Sequence, residues 1–261
     1  MDIEVLGPLS VRIHDRSIVP RAGKPRQLLA LLALRAGRMV PVSTLMDEIW
    51  GDRIPRSAPT TLQTYVLQLR RLIGDALPAD SPLSPKDVLT THFGSYQLNA
   101  PAVTCDVNTF TDMSATAGEA LARGDDAAAS WTLGEALALW RGAALADVPA
   151  GRVLETEVLG LNEQQTRARE LRIEIDLRLG RHNEILSELL MLTAQRPLDE
   201  NLCGHLMTAL HRAGHTWRAL EAFQRLRTTL VDELGVEPSA RVQRLHQHVL
   251  GGRPIPQGRA A

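Results

Sequence analysis

The chain has 261 residues, 44% of them hydrophobic and 23% charged, which is enough for two domains that each bury a core of their own. Its formal net charge of −1 conceals a division: residues 1–100 carry 12 Lys and Arg against 9 Asp and Glu, net +3, and the rest carries 17 against 21, net −4. That balance fits a nucleic-acid module joined to a part that does not touch nucleic acid. No run approaches about 18 apolar residues, and Met1-Asp2-Ile3-Glu4 opens no basic, hydrophobic leader, so a membrane span and a signal peptide are excluded and a cytoplasmic protein is expected. Cys105 and Cys203 lack the spacing of a zinc site and read as core or surface residues in a reducing compartment.

From the N-terminus, Ile3-Glu4-Val5-Leu6, Ser10-Val11-Arg12-Ile13 and Ile18-Val19 read as short strands, separated by a Gly7-Pro8 turn and a polar turn at His14-Asp15-Arg16. Lys24 to Ala36 predicts a helix with Pro25 in its first turn and Gly37 at its end; it is apolar nearly all round and so belongs at the centre of a core. Val42-Ser43 supplies an N-terminal cap for a shorter helix carrying Leu45, Ile49 and Trp50, stopped at Gly51. Beyond a third helix and a Pro-rich stretch at 78–85, Val88 to His92 and Ser95 to Leu98 flank Phe93-Gly94 as a β-hairpin.

The third helix, residues 56–74, is the most informative segment. At about 100° per residue, Leu62, Val66, Leu69 and Ile73 share one side, and Thr60, Thr64, Leu67, Gln68 and Arg71 share the other. Between Arg53 and Gly74 stand four arginines, Arg53, Arg56, Arg70 and Arg71, and no acid. Thr and Gln can reach base edges, and arginines suit phosphate oxygens, so the segment has the chemistry of a recognition helix. An amphipathic surface helix with a solvated polar face is the alternative.

The element order β-β-β-α-α-α-β-β is that of a winged helix-turn-helix. Residues 1–100 resemble the OmpR-type DNA-binding domain, in which the last hairpin is the wing. The resemblance implies a two-component-like regulator, and with the chain opening at its first strand no phosphorylatable receiver is expected. The family commonly has a basic residue and a Gly-Tyr pair in the wing, whereas Thr91-His92-Phe93-Gly94-Ser95-Tyr96 stands here and no Lys or Arg occurs between Lys86 and Ala100. His92 could take over the wing's contact.

From Pro101 onward the sequence is rich in Ala and Leu with helical periodicity. Three joints, at Gly124, Gly180 and Gly214, each have small or apolar residues five and nine positions later: Ala129 and Leu133, Ile185 and Leu189, Ala219 and Phe223. Gly180 and Gly214 are 34 apart, the tetratricopeptide period, while the first joint lies 56 residues earlier, so Trp140-Arg141-Gly142 to Gly151 would be an insertion in the array. A generic helical bundle is the plainer alternative. The phrases Leu139-Trp140-Arg141-Gly142-Ala143-Ala144-Leu145-Ala146-Asp147-Val148, Leu206 to Gly214, and Leu226-Arg227 to Pro238 resemble the bacterial transcriptional activation domain. Joined to a winged helix, that domain makes the chain similar to the Streptomyces antibiotic regulatory protein family, in its small form.

The fold class expected is mainly α with a small β component: an α+β winged helix-turn-helix over 1–100, an all-α tetratricopeptide-like domain over 101–252 and a flexible tail at 253–261. The resemblance implies an activator of an antibiotic or secondary-metabolite gene cluster. It would bind double-stranded promoter DNA at direct repeats near the −35 region as a side-by-side homodimer, and recruit RNA polymerase holoenzyme through contacts that include the sigma factor.

Arg70 and Arg71 are candidate phosphate anchors, with Arg56 ahead of them, and Thr60, Gln63, Thr64 and Gln68 are candidate base readers. Ser43 and Thr44 open a helix whose free N–H groups suit phosphate, with simple capping as the alternative. Lys24 and Arg26 read chiefly as solvated; Trp131, Trp140 and Trp217 read as packing residues. His205, His211 and His215 cluster without a carboxylate pattern, which argues against a metal. No Gly-x-Ser-x-Gly, Walker loop, His-Glu-x-x-His or dinucleotide fingerprint occurs, so no enzyme activity and no cofactor are expected. The competing class is a helical-repeat adaptor whose winged helix binds protein instead of DNA.

Overall fold

The structure, a computed structural model, describes residues 1–99 and 103–252. The expected domain boundary at 100–101 and the tail at 253–261 lie outside the described residues. Two compact units are present, one made of Met1–Thr116 and Gly134–Thr166, the other of Ala117–Leu133 and the residues from Arg167 on.

In the first unit, β1 (Asp2–Glu4), β2 (Ser10–Ile13) and β3 (Arg16–Ser17) run antiparallel, with Ile3 opposite Val11. His14 and Asp15 both adopt left-handed φ, 47° and 64°, as a tight hairpin turn requires. That turn reverses the chain at once, so the third strand is Arg16–Ser17 and not Ile18-Val19. Ile18 leaves the ladder for the core, fully buried, its N–H still donating to Val11 O at 2.9 Å.

The central helix α1 (Gly23–Leu34) buries Leu28, Leu29, Leu31 and Leu32. β4 (Val40–Pro41) leads straight into α2 (Val42–Trp50), whose cap position is Pro41. No side chain caps it, so the expected capping by Ser43 does not occur; Ser43 already lies inside the first turn. α3 (Ala58–Ala76) packs Leu62, Val66, Leu69 and Ile73 into the core, each at most 2% exposed. The short α4 (Pro85–Val88) then enters the wing hairpin, β5 (Leu89–His92) and β6 (Ser95–Leu98), to which β4 adds a third strand. α4 carries a capping box in which Ser84 N and Oγ both donate to Asp87 Oδ2, at 2.8 and 2.7 Å.

β7 (Thr104–Cys105) pairs in parallel with β1 and completes a sheet ordered β3-β2-β1-β7. There follow α5 (Asp106–Ala122), α6 (Asp126–Ala138) and α7 (Arg152–Arg178). Residues 139–151, which the period reads as an insertion in a helical array, are a strap laid on the N-terminal sheet. Arg141 N donates to Leu6 O at 2.7 Å, Leu145 N donates to Val5 O at 3.1 Å, and Asp147 Oδ1 accepts from Leu9 N at 2.7 Å. The Asp106 carboxylate accepts from Val5 N and Leu6 N at 2.9–3.0 Å.

At the strap's end lies Glu48, 2% exposed. Its carboxylate accepts from Gln27 Nε2 at 2.6 Å, Gly151 N at 2.6 Å and Leu154 N at 2.9 Å, and so caps α7 from α2. A Cβ at Gly151 would stand 2.0 Å from Glu48 O, so only glycine fits there.

The second unit continues with α8 (Leu186–Gln195), α9 (Glu200–Arg212), α10 (Thr216–Leu234) and α11 (Ala240–Leu250). Gly124, Gly180 and Gly214 take φ of 79°, 77° and 81° at the expected joints, and all six spaced residues after them are buried. Trp140 packs edge-on against Phe110 in the first unit, with ring centroids 5.7 Å apart. Trp131 and Trp217 are 67% exposed, which corrects their reading as packing residues.

Glu48→Ala is expected to cost about 2–4 kcal/mol of unfolding free energy, because three donors lose their acceptor together. Asp52→Ala, whose carboxylate is 96% exposed, should stay within about 0.5 kcal/mol. Urea denaturation of both variants decides it.

Burial, reinforced by Arg241, pushes the His205 imidazole down to about 4 from 6.5. Between those values the unfolded chain binds a proton that the folded protein does not, so stability rises with pH across that window and is lost on acidification. The contribution is about 3 kcal/mol. His205→Gln should flatten that part of the stability curve between pH 7 and 4; parallel curves for variant and parent would refute the assignment.

Candidate nucleic-acid interface

The solvent side of α3 presents Thr60, Gln63, Thr64, Leu67, Gln68 and Arg71, all exposed, while the opposite side is core. The Thr64 hydroxyl donates to Thr60 O at 3.1 Å, which turns its acceptor lone pairs and methyl outward. Gln63 and Gln68 make no hydrogen bond among the described residues, so each amide is free to serve as a bidentate donor and acceptor. Leu67, 51% exposed, adds an apolar spot of the kind that meets a thymine methyl.

Three arginines flank this face without a carboxylate partner among the described residues: Arg71 on α3, and Arg53 and Arg56 in the loop before it. Two acids before α3, Asp47 and Asp52, face another arginine. Asp47 is held by Arg152 at 2.7 Å, and Asp52 lies 4.0 Å from the same guanidinium. The Arg152 pKa is raised by the hydrogen bond and charge of Asp47.

Arg70 has a different task. Its Nε and Nη2 donate to Leu89 O at 3.0 and 2.7 Å, and Nη2 also donates to Thr91 Oγ1 at 2.8 Å. The guanidinium therefore clamps the wing strand β5 to α3, and most of its donors are spent before any phosphate arrives.

Ser43, exposed, and Thr44, half-buried, occupy the first turn of α2, where backbone N–H groups and the helix dipole favour an anion. The preceding N–H, of Val42, is taken by Gly94 O of the wing turn at 2.9 Å. Wing tip and helix start are thus one structure.

His92 is exposed on the wing, with Nε2 3.1 Å from Thr90 Oγ1. Because that hydroxyl donates to Gln97 O at 3.2 Å, a neutral His92 donates through Nε2 and presents Nδ1 as an acceptor.

Lys24 Nζ lies 5.3 Å above the Trp50 ring, which stacks on Tyr65 at 6.3 Å, so α1, α2 and α3 are tied on one side by a cation–aromatic column. Arg26, read from sequence as solvated, bonds Pro20 O at 3.0 Å and Asp147 at 3.1 Å instead. The candidate site residues fall on three joined elements: Thr60, Gln63, Thr64, Gln68, Arg70 and Arg71 on α3 with Arg56 before it, Ser43 and Thr44 on α2, and His92 on the wing. Sequence reasoning passed over Phe93, whose ring is fully exposed at the wing tip. Its signal was an aromatic residue in a two-residue turn where polar residues are usual.

The family model described as "Transcriptional regulatory protein, C terminal" matches residues 17–98, and that described as "Bacterial transcriptional activator domain" matches residues 105–250. Regulatory protein DnrI of Streptomyces peucetius is 50% identical over 254 residues, covering 97% of this chain and 93% of that protein. Regulatory protein AfsR of Streptomyces griseus is 36% identical over 248 residues, which are 94% of this chain but 24% of AfsR. The solved structure of Mycobacterium tuberculosis EmbR in complex with a low-affinity phosphopeptide superposes with a TM-score of 0.86 at 32% identity, covering 98% of this chain and 66% of that one.

Arg70→Ala should speed amide hydrogen exchange through β5 and cost about 1–2 kcal/mol, since it leaves Leu89 O without its donor. Arg71→Ala should leave stability within about 0.5 kcal/mol. Equal exchange rates in the two variants would remove the clamp.

Proposed function

From the premise that the chain belongs to the Streptomyces antibiotic regulatory protein family of transcriptional regulators, we propose that it activates a secondary-metabolite gene cluster by binding promoter DNA sequence-specifically. The observation that carries this reading is the exposed face of α3, where free glutamine amides stand among arginines without an ion-pair partner among the described residues. Arg53, Arg56 and Arg71 supply phosphate contacts, the first turn of α2 supplies another, and Gln63, Thr64 and Gln68 read base edges.

Two protomers side by side, head to tail, occupy direct repeats near the −35 region. For both α3 helices to enter the major groove on one face, the repeats lie about 10–11 bp apart. Bound there, the pair recruits RNA polymerase through contacts that include its sigma factor, with the helical second unit contributing surface.

In a reconstituted transcription assay on the native upstream promoter, inserting five base pairs between the repeats, about half a helical turn, should abolish activation by turning one protomer to the opposite face. Full activation from the insertion template would end the side-by-side arrangement. A gel shift showing no preference for that promoter over random duplex would favour a protein-binding adaptor.

A further inference from the structure

Phe93 is the most exposed large hydrophobic side chain among the described residues, at 107% of its reference area, against 67% for the next. Its place is fixed. Phe93 and Gly94 form a two-residue tip between the paired His92 and Ser95, with Gly94 at φ 66°, a conformation glycine adopts without strain. Gly94 O is held by Val42 N, and Pro41 pairs with Ser95, so the tip is braced by the start of α2. From the other side Arg70 ties β5 to α3. An apolar ring is therefore held in water at a constant position relative to α2 and α3.

Along the hairpin the ring's immediate chain neighbours are not apolar. Thr91, His92, Gly94 and Ser95 surround it along the hairpin, and residues 87–99 contain no Lys or Arg. A protein partner needs a contiguous apolar patch of several hundred Å², which a single ring at a polar tip does not supply. A nucleic-acid groove needs only one wedge. Phe is among the side chains that enter the minor groove and part a base step, and deformable pyrimidine–purine steps accept such a wedge most cheaply.

We infer that Phe93 is an apolar wedge that the wing sets against a minor-groove base step, so that the wing contributes affinity and step preference through unstacking rather than through charge. This rests on the DNA-binding reading above. The wing's share of binding is then insensitive to salt, whereas that of Arg71 is not.

The test uses the full chain and a duplex enriched by the wild-type protein from a random-sequence pool. Phe93→Ala should bind that duplex about tenfold more weakly at every salt concentration, with the log–log salt slope unchanged. Phe93→Leu should keep most of the affinity. Thermal melting should be the same for all three proteins, since the ring packs on nothing. With 2-aminopurine placed in turn at each step flanking the α3 site, wild type should brighten one position and Phe93→Ala none. Wild-type affinity and fluorescence from Phe93→Ala would overturn the wedge while leaving DNA binding intact. Wild-type binding with lost transcription would assign the ring to a protein contact and overturn it equally. If the wild-type protein enriches no sequence, the DNA-binding reading itself falls, and the wedge with it.

Discussion

A buried carboxyl group with no ion-pair partner among the described residues ties the first unit together. Removing a charge from water is costly, and Glu48 remains at 2% exposure because Gln27 Nε2, Gly151 N and Leu154 N converge on it. Those donors come from α1, from the strap and from the first turn of α7. The first helix of the helix-turn-helix pair therefore has no position independent of a segment that begins a hundred residues later. Asp106 repeats the device at the other edge, accepting two N–H groups that follow β1 while Arg141 lies 3.5 Å away.

The same economy explains how a chain near neutrality keeps a basic face. Within the first unit Arg26 is paired with Asp147, Arg35 with Glu157, Arg141 with Glu4 and Asp106, and Arg152 with Asp47. Five acids of the first unit are thus committed to these structural arginines. The excess positive charge is local, at Arg53, Arg56 and Arg71, and is not visible in the sum over the whole chain. Because these three side chains are exposed, their field is screened by salt within about 8–10 Å, so they position a polyanion only on close approach.

Helices with a one-sided apolar pattern were legible from sequence. The spacing of Leu62, Val66, Leu69 and Ile73 marks the buried side of α3, and the residues five and nine beyond Gly124, Gly180 and Gly214 are core in the structure. Two-residue strands were not legible: β4 and β7 are too short to show alternation, and each exists because a distant partner, β6 or β1, supplies its hydrogen bonds. The strap's phrase was legible as part of the activation domain, but its hydrogen bonds to the first ten residues were not, since nothing in sequence links positions more than a hundred apart. Of the site, the α3 face could be read from periodicity. The diversion of Arg70 into the wing could not, since an arginine's choice between phosphate and a carbonyl nineteen residues away is decided by tertiary geometry.

The parallel pairing of β7 with β1 has a consequence for the protein's birth. The first strand leaves the ribosome early, yet its outer edge waits for Thr104 and Cys105, and the amides after it wait for Asp106 and the strap that ends at Gly151. At bacterial elongation rates that interval is on the order of 10 s. Throughout it the nascent sheet carries an open edge of the kind that captures other strands. The strand that emerges first is among the last of the first unit's strands to be covered.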